Sequence, residues 1–502
     1  MRKRGILLPV FSLPSPYGIG CFSREAEEFI DQLARARQSY WQMLPLCPAG
    51  KGDSPYQPHS SFAGNPIFID PQRLYREGLL DKADLRFLGE NSDDTEEPHY
   101  IDYLRLREPR KEVLRRAYMR SKADPPFEEF CIAERDWLEN YAFYAALKDH
   151  FGGMDWDEWP MIGNEYYVEL ADEIDFQKWM QYQFFRQWHH ITEYAHYRGI
   201  EIIGDIPIYA AYESADCWSH PELFQLDDSM RPTAYSGAPP DGFAPQGQMW
   251  GNPLYDWEYQ RSTGYSWWKK RIRQMFRMFD VVRLDHTRGF ESYYSIPADT
   301  RQPADGHWEK GPGLEFLKTL QQAASEMPGD CRFIAEDLGY LTPEVKAMIS
   351  GAGLPSMKVL QFGFDGDPAN VYLPDNFEND NCVVYPGTHD NDTTVGWFQS
   401  LNEATALAVV DYINRYLSQD TRGAQQVCDG MVRIAMSSRA RTCIVPLQDY
   451  LALDSSARIN VPGTGSDNWD WRLMPGMVTG ELLDHIAELT TRYDRLGSRN
   501  EQ

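Results

Sequence analysis

Four acidic residues stand where short apolar runs give way to polar clusters. Asp205 closes the run 200–206, Asp285 follows 279–284, Glu336 follows 331–335, and Asp390 lies just beyond 382–385. Their neighbourhoods are Arg283-Leu284-Asp285-His286, Ala335-Glu336-Asp337-Leu338-Gly339 and Gly387-Thr388-His389-Asp390-Asn391-Asp392. A single acid in such a place caps the following helix. A cap, however, needs no arginine two residues before it and no histidine beside it. Several carboxylates converging on one rim suit glycosidic chemistry: one attacks an anomeric carbon, and a second, its pKa raised, protonates the leaving oxygen. Arg283 is placed to keep a nucleophilic Asp285 ionised, since a neighbouring cation favours the charged form.

Other chemistries lack local support. The chain has no Gly-x-x-x-x-Gly-Lys, Gly-x-Gly-x-x-Gly, His-Glu-x-x-His or Gly-x-Ser-x-Gly. His189, His190 and His196 fall on a helical pattern without carboxylates at ligand spacing, so packing or surface roles are expected and no metal is. Tyr56, Trp250 and Phe243 stand in Gly/Pro-rich stretches. Such rings stack on the apolar faces of sugar rings, or form small cores under long loops, and for Tyr56 and Trp250 both readings stand. Trp137, Trp156, Trp159, Trp179 and Trp188 crowd into helical patterns and read as core.

The elements that must position these residues are legible as apolar runs. Eight of them, at 5–10, 40–46, 200–206, 279–284, 331–335, 357–364, 382–385 and 442–447, largely lack period-2 alternation, as parallel strands buried on both faces do. Helical patterns lie between them at 24–37, 176–198, 265–278, 313–327, 343–351, 402–417 and 423–438. Eight such units predict an α/β fold, a (β/α)8 TIM barrel; an open doubly wound sheet is the alternative. Residues 1–502 are expected to form a single catalytic unit with large insertions after strands 2 and 3 extending the C-terminal face. The first, 50–198, reads as mainly helical; the second, 209–264, reads as a loop-rich cover over the active-site groove.

Composition narrows the partners. The 502 residues carry 49 Lys and Arg against 75 Asp and Glu, a formal charge of −26, which disfavours nucleic acid and anionic membrane surfaces. An aromatic content of 14% excludes disorder. No stretch approaches the roughly 18 apolar residues of a membrane span. The basic N-terminus has a proline-broken apolar run and no small-residue cleavage site, unlike a signal peptide. The eight cysteines include no Cys-x-x-Cys, and a chain this long does not need disulfides. A cytoplasmic protein is expected.

Several motifs resemble those of one family when taken in order. They are Ser12-Leu13-Pro14-Ser15-Pro16-Tyr17-Gly18-Ile19-Gly20, Asp53-Ser54-Pro55-Tyr56-Gln57, Phe62-Ala63-Gly64-Asn65-Pro66, Gly204-Asp205-Ile206-Pro207-Ile208-Tyr209, Gln248-Met249-Trp250-Gly251-Asn252-Pro253, Arg458–Thr464 and Asn468–Arg472. Together they resemble the 4-α-glucanotransferases of the amylomaltase or disproportionating type, relatives of the α-amylases, over nearly the whole length. The resemblance implies Asp285 as nucleophile, Glu336 as general acid/base and Asp390 as the carboxylate that stabilises the transition state. It implies Arg283 beside the nucleophile, His286 and His389 on the donor sugar, Tyr56 near the glucan path, and Trp250 and Asp241 in the loop covering the groove. Asn460 and Asn468–Arg472 read as structural closure of the barrel.

The implied reaction is retaining transfer of an α-1,4-glucan segment to the 4-hydroxyl of an acceptor glucan or glucose, through a covalent glucosyl-enzyme. Retention predicts carboxyl groups of Asp285 and Glu336 about 5–5.5 Å apart. No cofactor and no obligate protein partner are implied. The motif at residue 13 marks a short form without a separate carbohydrate-binding module. The alternatives are an α-amylase-like glucan hydrolase and, from a different class, a non-catalytic glucan-binding protein.

Overall fold

The computed structural model describes residues 2–91, 99–121, 125–240, 246–339 and 341–495. Its strands, in chain order, are β1 (Lys3–Leu7), β2 (Tyr40–Gln42), β3 (Glu201–Ile206), β4 (Ala234–Ala238), β5 (Gln248–Pro253), β6 (Val281–Leu284), β7 (Ser292–Pro297), β8 (His307–Lys310), β9 (Arg332–Ala335), β10 (Ser356–Val359), β11 (Cys382–Tyr385) and β12 (Thr442–Pro446). Eight of them close a barrel in the order β1-β12-β11-β10-β9-β6-β3-β2, every pairing parallel. These eight are the eight apolar runs, so the (β/α)8 barrel is the fold and the open sheet is not.

Alternation within each strand divides the core in two. Leu7, Ile203, Val281, Ile334, Met357, Val383 and Ile444 pack together as one cluster, filling the barrel lumen. Their neighbours Ile6, Ile202 and Val282 join a second cluster with the surrounding helices. Both faces are apolar, which is why the runs showed no alternation of polarity. Gly204 marks the close approach of strand and neighbour: a Cβ there would lie 2.2 Å from the Phe279 ring.

The helices fall near their predicted places, with bounds set by caps. Asn402 accepts from Thr405 N ahead of helix Glu403–Leu417, and Thr342 caps the Pro-initiated helix Pro343–Ala352. Three of the apolar runs overshoot their strands by three residues or more, the second among them, whose strand ends at Gln42. The sixth ends at Val359 and passes into a 3-10 turn, Leu360–Gly363; the first ends at Leu7, with another turn at Val10–Ser12.

The connection from β2 to β3 carries helices Tyr103–Arg120, Arg135–His150 and Ala171–Tyr197, among others. The connections from β3 to β6 and from β6 to β9 contribute two strands each to one antiparallel sheet, ordered β5-β4-β7-β8. The stretch read as loop-rich thus contains half of a sheet. Its other half lies beyond Asp285 in the chain, in a segment where no strand was expected. No helix among the described residues is long and apolar enough to cross a membrane.

Candidate active site

The chain delivers all three candidate carboxylates to the C-terminal ends of barrel strands. Backbone bonds carry the ladder one residue past β6 and β9: Asp285 N donates to Ile206 O (3.1 Å) and Glu336 N to Leu284 O (3.0 Å). Thr287 N then donates to Glu336 O (3.0 Å), tying the two loops together. His286 takes a left-handed conformation, φ 47°, which turns the chain sharply after Asp285. Asp390 sits in a tight turn in which Asn391 Oδ1 accepts from both the backbone and the hydroxyl of Thr388.

One arginine joins the β3 and β6 acids. Arg283 Nη1 donates to Asp205 Oδ1 (2.9 Å) and Oδ2 (2.7 Å) and to Asp285 Oδ1 (2.9 Å). Asp205 is the better served of the two, and Arg283 alone does not hold Asp285 low. Burial, with repulsion from Asp205, Glu336 and Asp390, outweighs the arginine and pushes Asp285 up to about 7. Glu336 is also raised by burial, although both of its oxygens accept backbone N–H groups, His286 N at 2.6 Å and Leu338 N at 2.7 Å. Burial thus holds both Asp285 and Glu336 above the ordinary carboxylate range, and the charge of Glu336 adds to the rise at Asp285.

Asp390 behaves oppositely. Burial works against its charge, yet His389 and Asn460 hold it well below the ordinary carboxylate range. His389 Nε2 lies 3.2 Å from Oδ2, Asn460 Nδ2 donates to Oδ1 at 2.6 Å, and Arg458 Nη2 donates to the Asp390 carbonyl at 3.0 Å. The Tyr56 hydroxyl links the two sides: it donates to Asp205 Oδ2 (2.9 Å) and lies 2.9 Å from His389 Nε2, with its ring stacked on that imidazole.

Two imidazole nitrogens have no protein partner although both are buried: His286 Nε2 and His389 Nδ1. Burial, with Arg288 and Arg283 nearby, lowers His286 to about 3, so its ring is neutral. Trp250, on β5, packs edge-to-face on His286 with centroids 4.8 Å apart. Gln57 donates to the Trp250 carbonyl and to Asn252, both at 2.9 Å, which fastens the Tyr56 loop to that sheet.

The mouth thus brings together Asp285, Glu336, Asp390, Arg283, His286, His389, Tyr56 and Trp250. Asp241 and Phe243 lie outside the described residues. Asp205, Asn460 and Arg458 are contacts that sequence reading did not assign to the site. Asn460, read as a piece of barrel closure, touches Asp390 directly. His189, His190 and His196 pair with Glu193, Glu27 and Asp280 on helix surfaces. Among the described residues, no cluster of His, Cys, Asp or Glu is arranged to hold a metal ion.

Comparison with known proteins agrees with this geometry. The family described as 4-alpha-glucanotransferase matches residues 8–478. The 4-alpha-glucanotransferase of Clostridium butyricum is 42% identical over 97% of this chain and 99% of its own length. That of Thermus thermophilus is 41% identical over 98% and 99%. Among solved structures, the amylomaltase of Streptococcus agalactiae in complex with acarbose superposes with a TM-score of 0.91 at 35% identity, covering 99% of this chain and all of that one. Neither the hydrolase nor the silent binding protein is favoured by these relatives. With a closed parallel barrel, carboxylates at its mouth and relatives of this name along its whole length, the chain belongs to the 4-alpha-glucanotransferase family and is a glucan-transferring enzyme.

Proposed function

We propose that Asp285, Glu336 and Asp390 carry out retaining transfer between α-1,4-glucans. The observation that carries this reading is the convergence on one barrel mouth of Asp285 held by Arg283, Glu336 held by two backbone N–H groups, and Asp390 held by His389 and Asn460. In the reacting form the proton sits on Glu336, which passes it to the leaving oxygen, while Asp285 bonds to the anomeric carbon. Positive charge developing on the sugar draws the pair into that form, since it favours an ionised Asp285. In the second half Glu336 takes the proton of an acceptor 4-hydroxyl, the acceptor oxygen attacks, and the bond to Asp285 breaks.

The partnerless nitrogens of His286 and His389 and the anionic Asp390 supply acceptors and donors for sugar hydroxyls. Tyr56 and Trp250 offer ring faces beside them. Arg283 orients Asp285, and the segment 209–264, with Asp241 in it, covers the groove and keeps water from competing with the acceptor. The substrates are an α-1,4-glucan donor and a glucan or glucose acceptor. The eight cysteines, all unpaired, suit a reducing compartment, and on that ground we place the enzyme in the cytoplasm.

Maltotriose tests the reading. Incubation with the enzyme should give glucose together with a ladder of longer maltooligosaccharides, and Asp285→Asn should give neither. Glucose and maltose alone would mean hydrolysis, and full activity in Asp285→Asn would remove the nucleophile assignment.

A further inference from the structure

Away from the mouth, a cleft of about 280 Å³ opens between helix Arg135–His150, the short helix Ala215–Ser219 and helix Ser266–Met278. None of the residues assigned to the active site lines it. Several of its lining side chains are more than nine-tenths buried, Tyr141, Asp216, Trp267 and Gln274 among them. Trp267 Nε1 is buried without a hydrogen-bond partner. Asp216 spends one oxygen on Ser61 N at 2.6 Å.

The rim is charged but balanced. Glu134 pairs with Arg277 at 2.7 Å and Asp136 with Lys270 at 2.9 Å. A charged ligand finds no surplus of opposite sign there, and the −26 chain as a whole repels anions. Trp137 is only partly buried at the cleft, its indole N–H held by Glu134 at 2.7 Å. A partly open indole, a buried carboxyl and the amides of Asn140 and Gln274 make a lining that suits a neutral polyhydroxyl with one apolar face. The size is at the lower end of small-ligand sites, about 300–1,000 Å³, enough for the end of a chain rather than a whole one.

We infer that this cleft is a second carbohydrate site, separate from the active centre, that binds a short segment of α-1,4-glucan. The inference rests on the proposed function, which makes such glucans the molecules this surface meets. Holding a glucan at a second point lowers KM for long substrates through raised local concentration and leaves turnover of short ones alone.

Amide hydrogen exchange of the Asp285→Asn variant with maltoheptaose separates the two places. The account expects protection both in the mouth segments and in 134–141 and 263–274, with the cleft protection lost in Asp285→Asn/Thr263→Trp, where an indole fills the exposed rim. In an otherwise native enzyme, Thr263→Trp should raise KM for amylose severalfold with kcat for maltotriose unchanged. Asn140→Ala, a smaller change, should raise the amylose KM in the same direction and stands in if Thr263→Trp does not fold. Protection at the mouth alone, or cleft protection that survives Thr263→Trp, would overturn this site and leave the proposed function standing. Protection at neither place would overturn both.

Discussion

The two sides of the barrel mouth place the same kind of side chain in opposite states. On the β3–β6–β9 side, one guanidinium nitrogen is divided among three carboxylate oxygens of Asp205 and Asp285. Burial raises both Asp285 and Glu336 there. On the β11 side, Asp390 has Asn460 and a His389 nitrogen it shares with the Tyr56 hydroxyl, with Arg458 on its carbonyl, and is held charged despite burial. In the proposed mechanism environment, not residue type, divides the labour: the raised pair would do proton and covalent chemistry, and the lowered acid would offer a constant negative charge. The Tyr56 hydroxyl touches both sides, Asp205 on one and His389 on the other.

The largest break in this comparison comes from removing the nucleophile. Asp285→Asn should lower kcat for maltotriose by about four orders of magnitude or more, while calorimetry still detects maltooligosaccharide binding. Asp390→Asn removes the fixed charge and should cost on the order of 10²–10³-fold in kcat, measured by glucose release.

Asn460→Ala sharpens the contrast further, because it loosens Asp390 without touching the pair. A loss of about 10–100-fold is expected from misplaced hydrogen bonding. The alkaline limb of the pH–rate profile should stay where it is in the native enzyme, near pH 7, where the pair gives up its proton. Movement of that limb in Asn460→Ala would mean that the two sides are one titrating network.

The smallest effect is on stability. The folded-state pKa of Asp285 lies above its ordinary value, so proton binding there favours the fold at low pH, and this contribution is lost as pH rises through about 7. Asp285→Asn has no such proton to lose. It should be more stable than the native enzyme by roughly 1–2 kcal/mol at pH 8 and no more stable at pH 4, as read from Tm at the two pH values.

Much of this was legible in the sequence because parallel barrels write their strands as apolar runs and their chemistry at the ends of those runs. Asp285, Glu336 and Asp390 each follow such a run, and each is at the mouth. What the sequence concealed were contacts made across the fold. Asn460 is 70 residues from Asp390, and only chain closure brings its amide to the carboxylate. Asp205 was visible as a strand-end acid, but its claim on Arg283, which weakens the grip of that arginine on Asp285, is a matter of angstroms. The strand β7 escaped notice because its partner β4 precedes Asp285 in the chain, and β8 is in the sheet through its pairing with β7.

The most direct test of the divided mouth is a pH titration of the carboxyl groups by difference infrared spectroscopy, with Asp285→Asn and Asp390→Asn assigning the bands. The account predicts one protonated carboxyl band disappearing near pH 7 in the native enzyme, at lower pH in Asp390→Asn, where the repulsion from Asp390 is gone, and altered in Asp285→Asn, with no band from Asp390 at any pH above about 4. A native enzyme with no carboxyl titrating near neutrality, or an Asp390 that titrates together with the pair, would contradict it.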